Sequence, residues 1–269
     1  MQFSIIANVA SSLPLIEGRA ENLKKHRKGF FEMDFLQITL DLLGGFGLTC
    51  LLFFLTLLFA IPLGLALSFC SMSKSVIVKK VSRIFIWIIR GIPLMLLICM
   101  IYYLPGLLGK PGSLNIFDAM DRYFTALAGS STLLYYGSFC AVLIAFVINY
   151  SCYFSEIFRG GIESIPQGQY EAGQVLGLTQ GQIFRRIVLK QVIKRIIPPM
   201  SNEIITLVKD TALANVIAIP EIIKRAKDMA ATDALIWPLF YTAAFYLLFV
   251  GLVTILLGYA EKKLSYFKA

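Results

Sequence analysis

Residues 202–210 hold the densest set of groups able to do chemistry: Asn202, Glu203, Thr206, Lys209 and Asp210. On a helix, Glu203, Thr206 and Asp210 stand at i, i+3 and i+7 and share one face, while Asn202, Thr206 and Lys209 form an adjacent stripe. Both signs of charge side by side suit a pathway for a zwitterion. The carboxylates would meet its ammonium, and Lys209 its carboxylate. The same groups satisfying one another as scaffold is the competing account. A second polar set, Asn149, Tyr150, Ser151 and Tyr153, lies in an apolar stretch and could line a cavity or hydrogen-bond between helices. Glu156 and Arg159, at i and i+3, suit an interfacial ion pair. Arg90 is read as snorkelling toward lipid headgroups.

None of these sets makes a catalytic constellation. The only histidine is His26, far in sequence from the polar clusters, so no histidine-based catalytic or metal site is supported. Cysteines 50, 70, 99, 140 and 152 show neither pairing nor metal-ligand spacing and read as small buried hydrophobes. No residue is assigned to catalysis or to a metal.

The elements that carry these groups are apolar. The 269 residues are 58% hydrophobic and 15% charged, where soluble domains are roughly half apolar. Runs near the roughly 20 residues needed to cross a bilayer fall at Gly45–Phe69, Ile84–Leu108, Leu133–Ile157, Ile196–Ile219 and Leu235–Tyr259. The fourth carries Glu203, Lys209 and Asp210 and is the least apolar. Lipid offers no hydrogen-bond partner to the backbone, and the runs do not alternate, so an all-α integral membrane protein of five transmembrane helices is expected. Pro62 and Pro93 should kink spans one and two. Pro198 and Pro199 are placed in the first turn of span four, Pro220 at its end and Pro238 near the start of span five. Gly44, Gly45 and Gly47 would permit close helix approach.

The net charge of +9 is concentrated beside the spans, which the positive-inside rule explains without nucleic acid. Lys74, Lys79, Lys80 and Arg83 follow span one without an acid. Arg159, Arg185, Arg186, Lys190, Lys194 and Arg195 follow span three, and Lys262, Lys263 and Lys268 close the chain. The loop after span two balances Lys110 and Arg122 against Asp118 and Asp121. This bias places the N-terminus outside and the C-terminus inside. Residues 1–32, with Arg19, Lys24, Lys25, Arg27 and Lys28, disagree. They form an N-terminal extension read either as no part of the natural protein, with Met33 as its start, or as a basic arm on the membrane surface.

Arg159 to Arg195 is a polar, basic segment between apolar stretches. Pro166 and Gly168 read as a turn, Gln169–Leu176 as helix-capable, Gly177 as a breaker and Thr179 as the N-cap of a second helix. Ile183, Phe184, Ile187 and Val188 give that helix one apolar face. Glu171, Ala172 and Gly173 would be presented by the first. Spacing alone also fits a helix that covers the underside of its own membrane domain.

The string Glu171-Ala172-Gly173, with Gly177, Ile187 and Leu189 following, resembles the EAA loop of bacterial ABC importer permeases. That motif reads EAA, three residues, Gly, nine residues, then I-x-LP. The resemblance extends to NYSCYFSEIFRGGIESIPQGQYEAG, to NEIITLVKDTALANVI and to Arg90-Gly91-Ile92-Pro93-Leu94, which look like permeases for polar amino acids. Gly173 departs from the second Ala and Lys190 from the Pro. The resemblance implies a type I importer transmembrane domain over residues 44–260, with EAA loop 159–195 forming coupling helices that dock on a separate ATPase. It implies four kinds of partner: ATPase subunits carrying ATP and Mg, a second permease copy or homologue, an extracytoplasmic amino-acid-binding protein, and lipid. It places the chain in the bacterial cytoplasmic membrane and gives Glu171, Ala172, Gly173 and Gly177 the coupling role. No G-x-x-x-x-G-K-[ST] string occurs, so the nucleotide and its cofactors are expected on another polypeptide. An ion-gradient-driven carrier or channel is the rival; it would predict inverted repeats, which the sequence does not display.

Overall fold

The computed structural model describes residues 35–108, 115–128 and 136–264, and every regular element among them is helical. The expectations for the basic extension 1–32 and for Lys110 and Lys268 fall outside the described residues. Helix α1 (Phe35–Ser71) runs unbroken through Pro62. It is followed by α2 (Val76–Gly91), α3 (Leu94–Leu108), α4 (Ile116–Ala128) and α5 (Tyr136–Glu163). Two short helices, α6 (Gln167–Val175) and α7 (Gln180–Ile183), lead through a π turn (Phe184–Val188) into α8 (Leu189–Asp210). A tight 3-10 segment (Thr211–Ile217), α9 (Ile222–Thr232) and α10 (Trp237–Leu264) complete the described chain.

Helix α5 is the axis of the core. Ala141, Val142, Ala145, Phe146, Tyr150, Cys152, Phe154 and Phe158 are all buried, against α1, α3 and α8. Helix α1 comes close to α5 at Gly64. A Cβ there would lie 2.8 Å from Phe154 Cβ and 2.9 Å from the Ser151 carbonyl oxygen. Two of the buried hydroxyls at this contact return to their own helix: Ser68 donates to Leu65 O at 2.7 Å and Ser155 to Cys152 O at 2.8 Å. This satisfies them without a partner from another helix. Outward, α1 and α10 carry large exposed apolar side chains, among them Leu58, Leu247, Leu248 and Ile255. Such a surface suits lipid rather than water. The five cysteines are free thiols, Cys152 buried and the others partly so.

Among the described residues, three helices, α1, α5 and α10, are long and apolar enough to cross a membrane. The expected second span is not one helix. It splits into α2 and α3, bent by 105°. Proline has no N–H and drives the preceding residue out of the helical region; Ile92 before Pro93 is extended, at φ −91 and ψ 128. Pro93 therefore ends a helix instead of kinking it. The first third of the expected span, residues 84–91, joins residues 76–83 in an amphipathic helix whose bases are Lys79, Lys80, Arg83 and Arg90.

The fourth span also departs from expectation. Pro198 and Pro199 are not in its first turn but mid-helix, because α8 begins at Leu189. The α-helix ends at Asp210, and the rest of the stretch winds more tightly to Ile217 before Ala218 turns left-handed at φ 63. Pro238 does lie in the first turn of α10. Of the three glycines read for close approach, Gly45 meets the Ile222 backbone, at 2.9 Å from a built Cβ, whereas Gly47 meets nothing within 4 Å.

The connections around α4 and α9 are more structured than their polarity suggests. Asp121 of α4 accepts from the N–H of Gly137 (2.6 Å) and Ser138 (3.3 Å) and from the Ser138 hydroxyl, capping α5. Tyr102 donates to Asp118 at 2.7 Å. Glu221, 1% exposed, caps α9 by accepting from Ile223 N and Lys224 N. Arg225 of α9 pairs with Asp41 of α1.

Overpacking a tight core contact typically costs about 1–3 kcal/mol, and both neighbours of Gly64 are firmly held. Gly64→Val should therefore lower the temperature at which the detergent-solubilised protein loses its monodisperse peak. Gly47→Val, facing open space, should leave that temperature unchanged.

Candidate functional site: a polar cavity and a helical loop

The polar groups of α5 and α8 meet at a cavity of about 540 Å³, closed on a third side by the α2–α3 break. Of the residues expected to line a pathway, Asn149, Tyr153, Glu203, Thr206 and Asp210 do so. Asn202 and Lys209 do not; both are exposed elsewhere on α8. At about 100° per residue, the Asn202–Lys209 stripe turns away from the face shared by Glu203 and Asp210. The cavity's cation is instead Arg90, with Gly91, Ile92 and Pro93 beside it. The sequence carried a signal for it in Arg90-Gly91-Ile92-Pro93: a proline break just beyond Arg90 ends the helix at the cavity edge.

The snorkelling expected of Arg90 is replaced by an inward contact. Its guanidinium lies 4.9 Å from the centroid of the Tyr153 ring, a cation–π distance, and 3.9 Å from Glu156. Tyr150, noted in sequence only as a polar neighbour, is buried and donates to Asp210 at 2.7 Å. Thr206 turns its hydroxyl back to Asn202 O at 2.9 Å. Glu203 makes no ion pair among the described residues and is the cavity carboxylate left open to a cation.

Below the cavity, Glu156 and Arg159 form the expected ion pair. Arg159 Nε and Nη2 donate to the two carboxylate oxygens at 3.2 and 2.6 Å. This two-pronged geometry is the strong form of the Arg–carboxylate interaction. Arg159 also pairs with Glu163, and Glu163 lies 3.8 Å from Arg83 of α2.

The loop after α5 folds as two helices with a defined corner. Gly177 has φ +71, and around it Gly177 N donates to Gln174 O and Leu178 N to Gly173 O. That pair of bonds is a Schellman ending, which places glycine at the left-handed position. Two residues on, Thr179 and Gln182 form a reciprocal capping box: Gln182 N donates to Thr179 Oγ1 and Thr179 N to Gln182 Oε1. The expected N-cap is therefore present. Lys190, where the motif has proline, is the second residue of α8, and the run from Gln180 to Asp210 stays helical, with one π turn just before it. Ile165, Ile183, Val188 and Val192 bury a small core beneath the loop. Gln191 donates to Gln169 at 2.9 Å, and Arg195 to Ser164 O.

Glu171 and Ala172 are exposed, whereas Gly173 is buried, with Ile183 Cγ1 2.7 Å from a built Cβ. Gly173 thus lets α6 rest on α7 and is not presented outward as expected. Successive residues on a helix cannot all face one way. The sequence reading missed Val175 and Leu176, 88% and 74% exposed at the tip of α6; their position just before Gly177 was the available signal.

The family model described as binding-protein-dependent transport system inner membrane component matches residues 60–266. The chain belongs to that family. This inner membrane component is 32% identical over 190 residues to the L-cystine transport system permease protein TcyB of Bacillus subtilis, covering 71% of each chain. It is 31% identical over 233 residues to the arginine transport system permease protein ArtQ of the same organism, covering 83% of this chain and 92% of the other. Among solved structures, one described as an amino acid ABC transporter with histidines matches at TM-score 0.69 and 27% identity, over 87% of this chain and 100% of that one. The MetNI methionine ABC transporter in an inward-facing form matches at TM-score 0.58 and 14% identity, over 87% of this chain and 99% of that one, a likeness of fold. The chain is thus a multi-pass membrane protein with the fold of importer transmembrane domains.

Gly173→Ala adds the residue that the motif prefers and should be absorbed by a small shift of Ile183. Gly173→Val should pry α6 off α7, and limited trypsin digestion should then cut between Arg159 and Arg195 several times faster than in the parent.

Proposed function

We propose that the chain is the membrane-spanning permease subunit of an ABC importer that moves polar amino acids inward. A polar cavity with both signs of charge, set between α5, α8 and the α2–α3 break of a membrane domain that also carries a built loop, supports this reading. An amino acid offers an ammonium to Glu203 and a carboxylate to Arg90, while Asn149 and Tyr153 supply neutral polar contacts. Relatives named for L-cystine and arginine transport support the substrate class.

The chain crosses the membrane five times. Helix α8 is the polar crossing, and α2 and α3 together make a broken one. The K/R bias puts the N-terminus outside and the α6–α7 loop and C-terminus in the cytoplasm. There Glu171 and Ala172, exposed beside Val175 and Leu176, dock on a separate ATPase, and Gly177 sets the corner that aims them. The chain has no nucleotide site of its own; ATP and Mg are held by the partner. A second permease copy or homologue closes the route, because one chain leaves Asn202 and Lys209 facing outward, and an external binding protein delivers the solute. The transport unit spans 44–260. Residues 1–32 are not needed for it.

Replacing Gly177 with a β-branched residue, or Glu171 with Trp, should preserve membrane insertion. Uptake and the amount of co-purified ATPase should each fall by up to about tenfold, the scale of ~1.4 kcal/mol in docking free energy. The readout is labelled L-arginine and L-cystine uptake with ATPase co-purification; unchanged values for both would refute the docking role. Deleting residues 2–32 should leave uptake at the parental rate.

A further inference from the structure

We propose that the charge chain Arg90–Glu156–Arg159–Glu163–Arg83 is a latch that makes the cavity and the coupling loop move as one. It joins Arg90, which lines the cavity, to Glu163, the last residue of α5, just ahead of α6 at Gln167. Each link is within ion-pair distance: Arg90–Glu156 at 3.9 Å, Glu156–Arg159 at 2.6 Å, Arg159–Glu163 at 2.5 Å and Glu163–Arg83 at 3.8 Å. Arg83 Nε donates in addition to Ser71 O, the end of α1, at 3.3 Å. Directly after Glu163, the Ser164 carbonyl is held by Arg195 of α8. The chain thus ties the C-terminal end of α5 to α1 and α2, and the next residue ties it to α8, at the point where the loop leaves the membrane domain.

The links are unequal, and that inequality makes the chain a latch and not a brace. Glu156 is held by two prongs of Arg159 and only loosely by Arg90. Arg90 can therefore leave without stranding Glu156. When it does, it carries its positive charge toward the cavity and away from the loop-bound cluster. Conversely, a pull on the loop that shifts Glu163 drags Arg159 and Glu156, and with them the seat of Arg90 over Tyr153. Solute position and loop position then bias one two-state contact, which is the physical content of coupling between sites.

This rests on the importer reading, and one experiment separates the two. The permease carrying Thr206→Cys, assembled with its ATPase, is labelled by a membrane-impermeant thiol reagent with and without Mg-ATP and vanadate. Labelling of the parent, which keeps Thr206, is subtracted. If trapping leaves the rate unchanged in the Thr206→Cys protein, the ATP-driven importer reading itself fails. If trapping shifts it at least about fivefold, the low end of typical coupling, the latch is tested by adding Arg90→Gln or Glu156→Gln. Each should bring the ratio toward one, the double variant should do no more than either single, and Arg90→Lys should keep most of the shift. Arg90→Gln leaves no buried charge unpaired, because Glu156 keeps Arg159, so it remains usable if Glu156→Gln is not recovered. A ratio in Arg90→Gln equal to that of the Thr206→Cys protein would overturn the proposal. So would losses in the two single variants that simply add.

Discussion

Charge among apolar helices has to be matched within the chain, and the architecture is arranged around that requirement. An unpaired buried ion costs several kcal/mol even after relaxation, yet α5 and α8 between them carry Glu156, Arg159, Glu203 and Asp210. Asp210 is met by the Tyr150 hydroxyl, and Glu156 by the fork of Arg159. The exception is Glu203, which faces the cavity without an ion pair among the described residues. Matching Asp210 requires α5 to sit against α8, and the same packing brings Glu156 to Arg90 beside the α2–α3 break. That placement depends in turn on Gly64 letting α1 close over the other side of α5.

The break at Ile92–Pro93 follows from the same requirement. A straight helix through residues 84–108 would keep Arg90 in line with the lipid-facing run of α3. Ending α2 at Gly91 frees its last turn to present Arg90 to Tyr153 and Glu156 instead. The missing N–H of Pro93 is thus what supplies the cavity with its cation. The amphipathic character of α2 fits this arrangement, since only Ile86 and Ile89 of the helix are buried.

Helical class, the approximate positions of the apolar runs and the corner of the loop were legible in the sequence because each rests on local chemistry. The Thr179 cap and the Gly177 ending need only a few neighbouring residues to specify them. The face shared by Glu203, Thr206 and Asp210 was legible for the same reason: helical periodicity fixes it. The choice of cation was not. Lys209 adjoins Asp210 in sequence but lies about 100° around the helix from it, and Arg90 is far away along the chain. The start of α8 was misread because hydropathy marks where a helix becomes apolar, not where its hydrogen bonding begins. Prolines 198 and 199 then looked like a first turn. The α4 helix and the Asp121 cap escaped notice because they answer to tertiary needs, the N–H groups of Gly137 and Ser138, that no local pattern announces.

The tip of α6 is the part of the loop least explained by the chain's own packing. In a segment as polar as 159–195, nothing in the chain's own packing asks for Val175 and Leu176, and neither joins the small core of Ile165, Ile183, Val188 and Val192. An apolar pair held out from a rigid corner, beside an exposed carboxylate, has the composition of an interface centre with a polar rim. The corner is rigid by construction: the Schellman ending and the capping box together satisfy the N–H groups where one helix stops and the next starts. In the docking proposed above, a pair fixed in this way would lose little freedom, so contact energy would go into force on α5 and α8 and not into ordering the loop. The helix ends that would receive this force are those that hold Ser164, Arg195 and Arg159.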